Sequence, residues 1–144
     1  MLDGTVDPKK IIVVFKGRPI TGFADGTYLT IERNADTWNT KVGCSGHVAR
    51  SKSNDRSGTV KITLMQTSSD NDFLSLCAEL DENGNAGVGE LKIKDALGTS
   101  DYRSSAAFVL KPAAASQSNN VENREWTLFC ADLSIFNGGN ISIL

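Results

Sequence analysis

The stretch that decides the fold is "SNDRSGTVKITLMQTSSDNDFLSLCAEL", residues 53–80, which contains the signals of a turn, a strand, a second turn and a helix in that order. Apolar and polar side chains alternate through residues 59–67, with Val60, Ile62 and Leu64 on one face of the chain. Because successive side chains of a strand point to opposite faces, this alternation predicts a half-buried β-strand.

The second half of the stretch carries the signals of a helix. Ser69 or Asp70 can accept the first free amide hydrogens as an N-cap, and aspartates in the first turn favour the positive end of the helix dipole. The apolar residues recur at helical spacing and form one stripe: Phe73, Leu74, Leu76, Cys77 and Leu80. This pattern predicts one α-helix over about residues 70–83, ended by Gly84.

Strand patterns flank this unit on both sides. They cover residues 10–17, 26–34, 90–95, 102–112 and 121–136, the last of which is long enough to be bent. Residues 36–57 are polar and predict two weakly patterned strand arms with a long exposed tip. Strands, one helix and more strands, without alternating βα units, predict a mainly β fold. We expect an antiparallel β-barrel or sandwich with one α-helix, in a single domain over residues 1–144 with an extended loop or hairpin at about 36–57.

Composition excludes several classes of protein. The chain has 144 residues, of which 40% are hydrophobic, and this length can bury a core without disulfides or metals. The formal net charge of −2 provides no global basic field that would attract nucleic acid. No apolar run is long enough for a membrane span, and residues 1–10 lack the apolar core of a signal peptide. We therefore expect folding in a cytoplasm, with Cys44, Cys77 and Cys130 as reduced thiols.

Few residues could carry chemistry. His47 is the one histidine, and Cys44 precedes it by three residues, so a Cys–His pair is conceivable; a solvated loop histidine is the simpler interpretation. The glycine-rich run at 84–89 follows the predicted helix and precedes a strand, which is the reverse of a dinucleotide-binding loop. The carboxylates in and around the helix lack the spacing of a calcium loop. We predict no catalytic, cofactor-binding or metal site, and no enzymatic activity.

Charge is distributed unevenly along the chain. Residues 41–61 are basic, with one acidic residue, Asp55, whereas residues 70–90 contain acidic residues and no Lys or Arg. The basic residues are Lys41, Arg50, Lys52, Arg56 and Lys61, and the acidic ones are Asp70, Asp72, Glu79, Asp81, Glu82 and Glu90. Three explanations remain open: chance clustering on a solvated surface, pairing within one subunit, and head-to-tail contact between copies. Trp38, beside the basic segment, marks either an interface or a packing anchor.

Three longer segments of the sequence resemble a known family. They are "PITGFADGTYLTIERN" (19–34), "SNDRSGTVKITLMQTSSDND" (53–72) and "NREWTLFCADL" (123–133). They resemble the tail tube protein of contractile-tailed bacteriophages, the small structural protein encoded beside the tail sheath, and the similarity runs from about Ile11 to about Asn140. The resemblance implies a virion structural protein of the phage tail, made in the host cytoplasm. It also implies a β-barrel or sandwich with one helix, and neither catalytic residues nor a cofactor.

An assembly follows from the same resemblance. Subunits would form hexameric rings that stack into a hollow tube, the conduit for DNA ejection. The implied partners are further copies of the chain, the tail sheath protein around the tube, baseplate and tail-terminator proteins at its ends, and double-stranded DNA passing non-specifically through the lumen. A baseplate or tail-terminator ring protein, and a small β-sandwich binding or decoration module, are the alternatives.

The site that this resemblance suggests is an interface between subunits. We hypothesise that residues 36–57 reach from one ring to the next, where their basic side chains meet the acidic helix of a neighbouring subunit. The residues predicted to lie at this interface are Trp38, Lys41, Arg50, Lys52, Asp55, Arg56, Asp70, Asp72, Glu79, Asp81 and Glu82. We also expect the strands that line the lumen to be polar and not strongly basic. The candidate lumen faces are those of Thr59, Lys61 and Thr63, or of Tyr28, Thr30 and Glu32.

Overall fold

A computed structural model describes residues 3–139 of the chain. After a short 3₁₀ turn, Pro8–Lys10, come five strands: β1 (Ile11–Phe15), β2 (Arg18–Pro19), β3 (Leu29–Arg33), β4 (Trp38–Val42) and β5 (Val48–Lys52). The central unit is β6 (Gly58–Met65) followed by helix α1 (Asp70–Gly84). The remaining strands are β7 (Gly89–Asp95), β8 (Asp101–Lys111), β9 (Asn123–Cys130) and β10 (Leu133–Phe136).

Eight of the strands form one antiparallel sheet. Its order is β2-β1-β7-β8-β9-β6-β3, and β10 pairs with β8 outside this path. Strands β4 and β5 form a separate two-stranded sheet. The predicted mainly β fold with one α-helix is therefore confirmed. Within residues 3–139, no helix combines the length and the apolar character needed to cross a membrane.

Strand β6 supplies the centre of the core. Val60, Ile62 and Leu64 are fully buried, as the alternation of residues 59–67 predicted. Their strand lies between β3 and β9, so one face of β6 is covered while Lys61 and Met65 on the other face remain exposed. Burying three large aliphatic side chains contributes on the order of 1.5–3 kcal/mol each relative to leaving them in water.

The last predicted strand is bent, and its two halves pair with the same neighbour. Cys130 in β9 lies opposite Ala107 of β8, and Leu133 in β10 lies opposite Ser104 of the same strand. The register therefore continues across the break at residues 131–132, where the chain leaves the strand conformation. The prediction of one long, bent strand over 121–136 is confirmed in this sense.

Helix α1 confirms the predicted span but differs in its N-terminal cap. Ser69 has helical dihedral angles and its side chain makes no capping hydrogen bond. Instead, the Ser68 hydroxyl accepts a hydrogen bond from the backbone N–H of Asp70 (3.3 Å). At the other end the left-handed residue is Asn85 (φ 55°), whose backbone N–H donates to the carbonyl of Asp81. The sequence predicted that Gly84 ends the helix. Gly84 is its last residue, and the left-handed cap is the next residue, Asn85.

The buried face of α1 also differs from the predicted stripe. Leu74, Cys77 and Ala78 are buried, whereas Leu76 and Leu80 remain 54% and 45% exposed. The predicted apolar stripe is therefore only partly buried, because these two leucines remain exposed. Both lie on the more exposed side of the helix.

A buried polar side chain holds the helix on the sheet. Asn71 donates through Nδ2 to the carbonyl oxygens of Met65 (2.9 Å) and Ser68 (3.0 Å), and its Oδ1 accepts a hydrogen bond from Nε1 of Trp126 (2.9 Å). These bonds join α1, the turn before it and strand β9. Since a buried polar group is costly unless it is hydrogen-bonded, this side chain fixes the rotation of the helix.

Candidate subunit interface

Strands β4 and β5 form a hairpin, residues 38–52, that extends beyond the main sheet. Trp38 lies opposite Lys52 at its base, and Val42 lies opposite Val48 near its tip. All ten strand residues are exposed. An isolated two-stranded hairpin is marginally stable in water, so a surface that covers one of its faces would stabilise it.

The hairpin is a direct continuation of the β3–β6 pair. The backbone N–H of Asn34 donates to the carbonyl of Ser57 (3.1 Å), and the N–H of Ser53 donates to the carbonyl of Thr37 (2.7 Å). These bonds bridge the gap between the end of the β3–β6 pair and the start of the hairpin. The main sheet therefore sets the direction in which the hairpin extends.

The tip of the hairpin is a short glycine-containing turn. The N–H of Gly43 donates to the carbonyl of His47 (2.8 Å), and Gly46 adopts a positive φ of 88°, which a residue with a side chain rarely tolerates. Cys44 and His47 are both exposed at this tip. In the part of the chain that the structure describes, no group of three or more metal-binding side chains comes together. The tip therefore offers no preformed metal site.

An aromatic–cation stack lies on the hairpin. The guanidinium carbon of Arg50 lies 3.8 Å from the centroid of the Trp38 ring. Such a stack is worth about 0.5–1 kcal/mol at an exposed site. It holds one cation and the largest apolar side chain of the hairpin in a defined arrangement.

Two residues predicted to lie at the interface are used inside the subunit. Asp55 accepts hydrogen bonds from the hydroxyl (2.7 Å) and the backbone N–H (3.0 Å) of Ser57. These hydrogen bonds hold the pKa of Asp55 below its ordinary value. Arg56 forms an ion pair with Asp132 (2.9 Å). Asp55 shapes the turn at the base of the hairpin, and Arg56 ties that turn to the segment between β9 and β10.

Asp70 differs even more from the prediction. It is 3% exposed, and its carboxylate accepts hydrogen bonds from Nε of Arg18 (3.0 Å) and from the backbone N–H of Thr21 (2.7 Å). Arg18 also lies over the ring of Phe73, 5.0 Å from its centroid. Because Asp70 is buried against its own subunit, it offers no surface to a neighbour, and we remove it from the candidate interface.

The outer side of α1 combines acidic and apolar side chains. Asp72, Glu79 and Glu82 are exposed, and the exposed leucines Leu76 and Leu80 lie between them along the helix. Asp81 is half-buried, and its carboxylate accepts a hydrogen bond from the backbone N–H of Gly87 (3.3 Å). Three acidic residues of the predicted set are therefore available on this surface.

The two charged surfaces do not meet within the subunit. Ion pairs seen within residues 3–139 include Arg18–Asp70, Arg56–Asp132, Lys92–Glu90 and Arg103–Asp101. None of these pairs joins the hairpin to α1. The alternative that the basic and acidic segments pair inside one subunit is therefore not supported.

One cavity lies apart from these surfaces. It has a volume of about 360 Å³, and its lining includes aliphatic residues of β1, β3 and β7 together with Tyr28, Asp95, Ser100 and Tyr102. Burial raises the pKa of Tyr28, and the charge of Asp95 adds to this effect. None of the residues predicted to lie at the interface lines this cavity.

Comparison with known proteins identifies the family. A family model described as the bacteriophage PhiTE tail tube protein matches residues 18–138, which is most of the chain. The chain belongs to this tail tube family. Membership makes it a structural protein of a phage tail and places it in the virion. A curated relative, "Structural protein ORF10" of Pseudomonas phage KPP10, is 27% identical over 94% of this chain and 83% of its own length.

Solved structures share the fold of this tail tube family member. One is the tube-terminating cap of the anti-feeding prophage (TM-score 0.59, 11% identity), which aligns with 94% of this chain and 93% of the cap chain. A second is the sheath/tube terminator of an extracellular contractile injection system, PVC, in its extended state (TM-score 0.60, 14% identity, 95% and 100% coverage). A third comes from the virion of a native gene transfer agent particle (TM-score 0.53, 13% identity, 92% and 100% coverage). At these identities the similarity shows the fold alone.

Sequence reasoning about this tail tube family member missed four exposed apolar residues on the hairpin and on α1. Val42 and Val48 are 64% and 66% exposed on the hairpin, and Leu76 and Leu80 are exposed on α1. A signal for the valines was present, because they flank the glycine-containing turn in an otherwise polar segment. The leucines carried a misleading signal, since their helical spacing fits a core-facing stripe equally well.

Proposed function

We propose that the chain is the repeating subunit of the tail tube of a contractile-tailed phage. In this proposal six copies form a ring, rings stack into a hollow conduit for DNA ejection, the tail sheath surrounds the tube, and baseplate and terminator proteins close its ends. The observation that carries the proposal is the exposed hairpin, because an exposed, uncovered hairpin in a tail tube family member is suited to contact another copy. The protein acts as a structural element without catalysis.

The proposed ring uses the edges of the main sheet. Strands β2 and β3 lie at its two edges, where unpaired backbone groups can pair with another chain. A head-to-tail interface of this kind forms a ring when the repeated rotation from one subunit to the next returns to the first subunit. Ring formation would therefore cover edges that are open in the single subunit.

The proposed contact between rings uses the charged surfaces. Arg50 and Lys52 on the hairpin would meet Asp72, Glu79 and Glu82 on α1 of a subunit in the next ring. Complementary charge of this kind sets register and speeds association more than it increases affinity. Since exposed charges are screened by salt, polymerisation should weaken as ionic strength rises.

The proposed lumen surface is the polar face of β3, β6 and β9. Thr30 lies opposite Lys61, which in turn lies opposite Thr127, while Glu32 lies opposite Thr59. These side chains share one face because directly paired residues of antiparallel strands point the same way. Besides Phe129 opposite Thr59 and the exposed Met65, the face combines both signs of charge with threonines, so it would not hold DNA strongly. Tyr28 is half-buried and packs against Phe23 (centroids 4.8 Å apart), so we do not assign it to the lumen.

Electron microscopy of the purified protein tests the proposed function. We expect negatively stained samples to contain long hollow tubes at high protein concentration and low salt. Isolated rings that never stack would instead favour a terminator or baseplate ring protein. Single subunits at every concentration would favour a binding or decoration module and contradict the proposal.

Charge reversal tests the contact between rings. We expect Arg50→Glu combined with Lys52→Glu to weaken each contact between rings by about 1.4 kcal/mol. Since this is a factor of ten in an equilibrium constant, the concentration needed for polymerisation should rise about tenfold. Sedimentation of polymer across a concentration series measures this. Arg56 stays unchanged in the variant because its pair with Asp132 is internal.

Two further variants make the charge test specific. Lys9→Glu with Lys10→Glu changes the net charge equally at an exposed turn away from the hairpin, and it should polymerise like the wild type. Adding Glu79→Lys and Glu82→Lys to the hairpin reversal should restore polymerisation, since the attraction is then re-formed with opposite signs. Unchanged polymerisation of the hairpin variant would show that these charges do not join the rings.

A further inference from the structure

We infer that the hairpin docks through only one of its two faces, and that this face packs on the Leu76–Leu80 stripe of helix α1 in a second copy of the chain. The inference rests on the proposed function and adds to it an apolar contact with a defined side. It assigns a role to four exposed apolar residues, Val42, Val48, Leu76 and Leu80, that charge complementarity leaves unexplained.

The strand register divides the hairpin into two unlike faces. Side chains alternate along a strand, and paired residues of antiparallel strands share a face. One face, here named the contact face, contains Trp38, Thr40, Val42, Val48, Arg50 and Lys52. The opposite face contains Asn39, Lys41, Ala49 and Ser51. All the large apolar side chains of the hairpin and two of its three cations therefore lie on the contact face.

The contact face carries a preformed anchor. Trp38 is 42% exposed and Arg50 stacks on its ring. Both side chains are therefore already partly ordered before a partner binds. Tryptophan and arginine are the residues most enriched among those that dominate binding energy at interfaces. Val42 and Val48 extend the apolar surface toward the tip.

Helix α1 presents a surface of matching chemistry. Leu76 and Leu80 are one turn apart, so they form an apolar stripe along the outer side of the helix. Asp72 lies one turn before Leu76, and Glu79 is directly beside Leu80 in sequence. The surface thus combines apolar side chains with carboxylates, as the contact face combines apolar side chains with cations.

The dimensions of the two surfaces are compatible. A strand of five residues is roughly 17 Å long, and the 15 residues of α1 span roughly 22 Å. The helix is therefore long enough to receive the whole hairpin. A second copy is the favoured occupant because it brings both the opposite charge and the apolar surface, and because the chain belongs to a tail tube family.

Site-directed disulfide formation tests which face docks. In a Cys44→Ser background, Leu80→Cys is combined either with Val48→Cys on the contact face or with Ala49→Cys on the opposite face. The native thiols Cys77 and Cys130 do not interfere, because both are buried and burial raises the pKa of each. After mild oxidation of assembled tubes, we expect at least fivefold more covalent oligomers with Val48→Cys. Equal yields, a higher yield with Ala49→Cys, or tubes without cross-links would overturn the inference.

Tryptophan fluorescence provides a second test on the unmodified chain. Trp126 is already buried at 2% exposure, so a change in emission on polymerisation reports Trp38. We expect a blue shift and reduced acrylamide quenching in tubes, both absent in a Trp38→Phe variant. Tubes with unchanged emission would overturn the inference while leaving the proposed function intact. Failure of the wild type to form any ordered polymer would contradict the proposed function itself, and with it the inference.

Discussion

Replacing Asn71 with alanine should lower the free energy of unfolding by about 3 kcal/mol. The side chain is 4% exposed and satisfies Nε1 of the buried Trp126 while donating to the carbonyls of Met65 and Ser68. Leaving a buried donor without a partner costs about 1–3 kcal/mol, to which the lost hydrogen bonds add. For a chain of 144 residues the midpoint of thermal unfolding should fall by roughly 10 °C.

The measurement is a denaturant titration at a concentration where light scattering detects no polymer. Asn83→Ala, the same substitution on the exposed side of the same helix, is the matched control and should change stability by about 0.5 kcal/mol or less. In a double-mutant cycle, Trp126→Phe should partly offset the loss, because it removes the donor that Asn71→Ala leaves unpaired. An unfolding energy for Asn71→Ala equal to that of Asn83→Ala would contradict this account of the helix anchor.

Local periodicity predicted those elements whose two faces differ clearly in polarity. In β6, Val60, Ile62 and Leu64 alternate with polar residues, so the sequence alone identifies the buried face. The same holds for the span of α1, where the apolar spacing and the glycine-rich segment after it give both the type and the end of the element. These patterns reflect short-range geometry, which the sequence contains directly.

The rotation of α1 on the sheet could not be predicted in this way. Its apolar residues cover more than half of the helix surface, so several rotations bury a similar area. Two polar residues decide between them: Asp70 bonds to Arg18 and Thr21, and Asn71 bonds to Trp126. These partners are about 50 residues away in sequence, and their contacts turn Leu76 and Leu80 outward.

The exposed hairpin was predictable in position, but which charged residues of the segment face solvent was not. The polar composition of residues 36–57 indicated an exposed segment, and the structure places a hairpin there. Composition could not distinguish a charge that faces solvent from one that pairs internally. Arg56 and Asp70 both have partners distant in sequence, Asp132 and Arg18, so only the folded chain separates them from Arg50 and Glu79.

Replacing Gly58 with alanine should destabilise the subunit by about 2 kcal/mol. An added Cβ would come within 2.8 Å of the backbone carbonyl oxygen of Glu32 and would overlap the side chain of Leu133. Leu133 can shift, but Glu32 lies in β3, whose neighbouring residue Arg33 pairs directly with Gly58. Overpacking a filled site typically costs about 1–3 kcal/mol, and thermal unfolding monitored by circular dichroism would measure the loss.

Gly84→Ala is the matched control for this prediction. No atom lies within 4 Å of a Cβ placed at Gly84, and alanine is favoured over glycine in a helix by about 1 kcal/mol, so this variant should be as stable as the wild type or slightly more stable. The effect of Gly58→Ala should also extend to assembly, because Gly58 lies where β6 joins the segment leading to the hairpin. If the strands separate there, the hairpin loses its fixed direction, and tube yield should fall more than the fraction of folded protein does. A Gly58→Ala subunit with wild-type stability would show that β3 can move away from β6 at little cost, and that the direction of the hairpin is not set at this position.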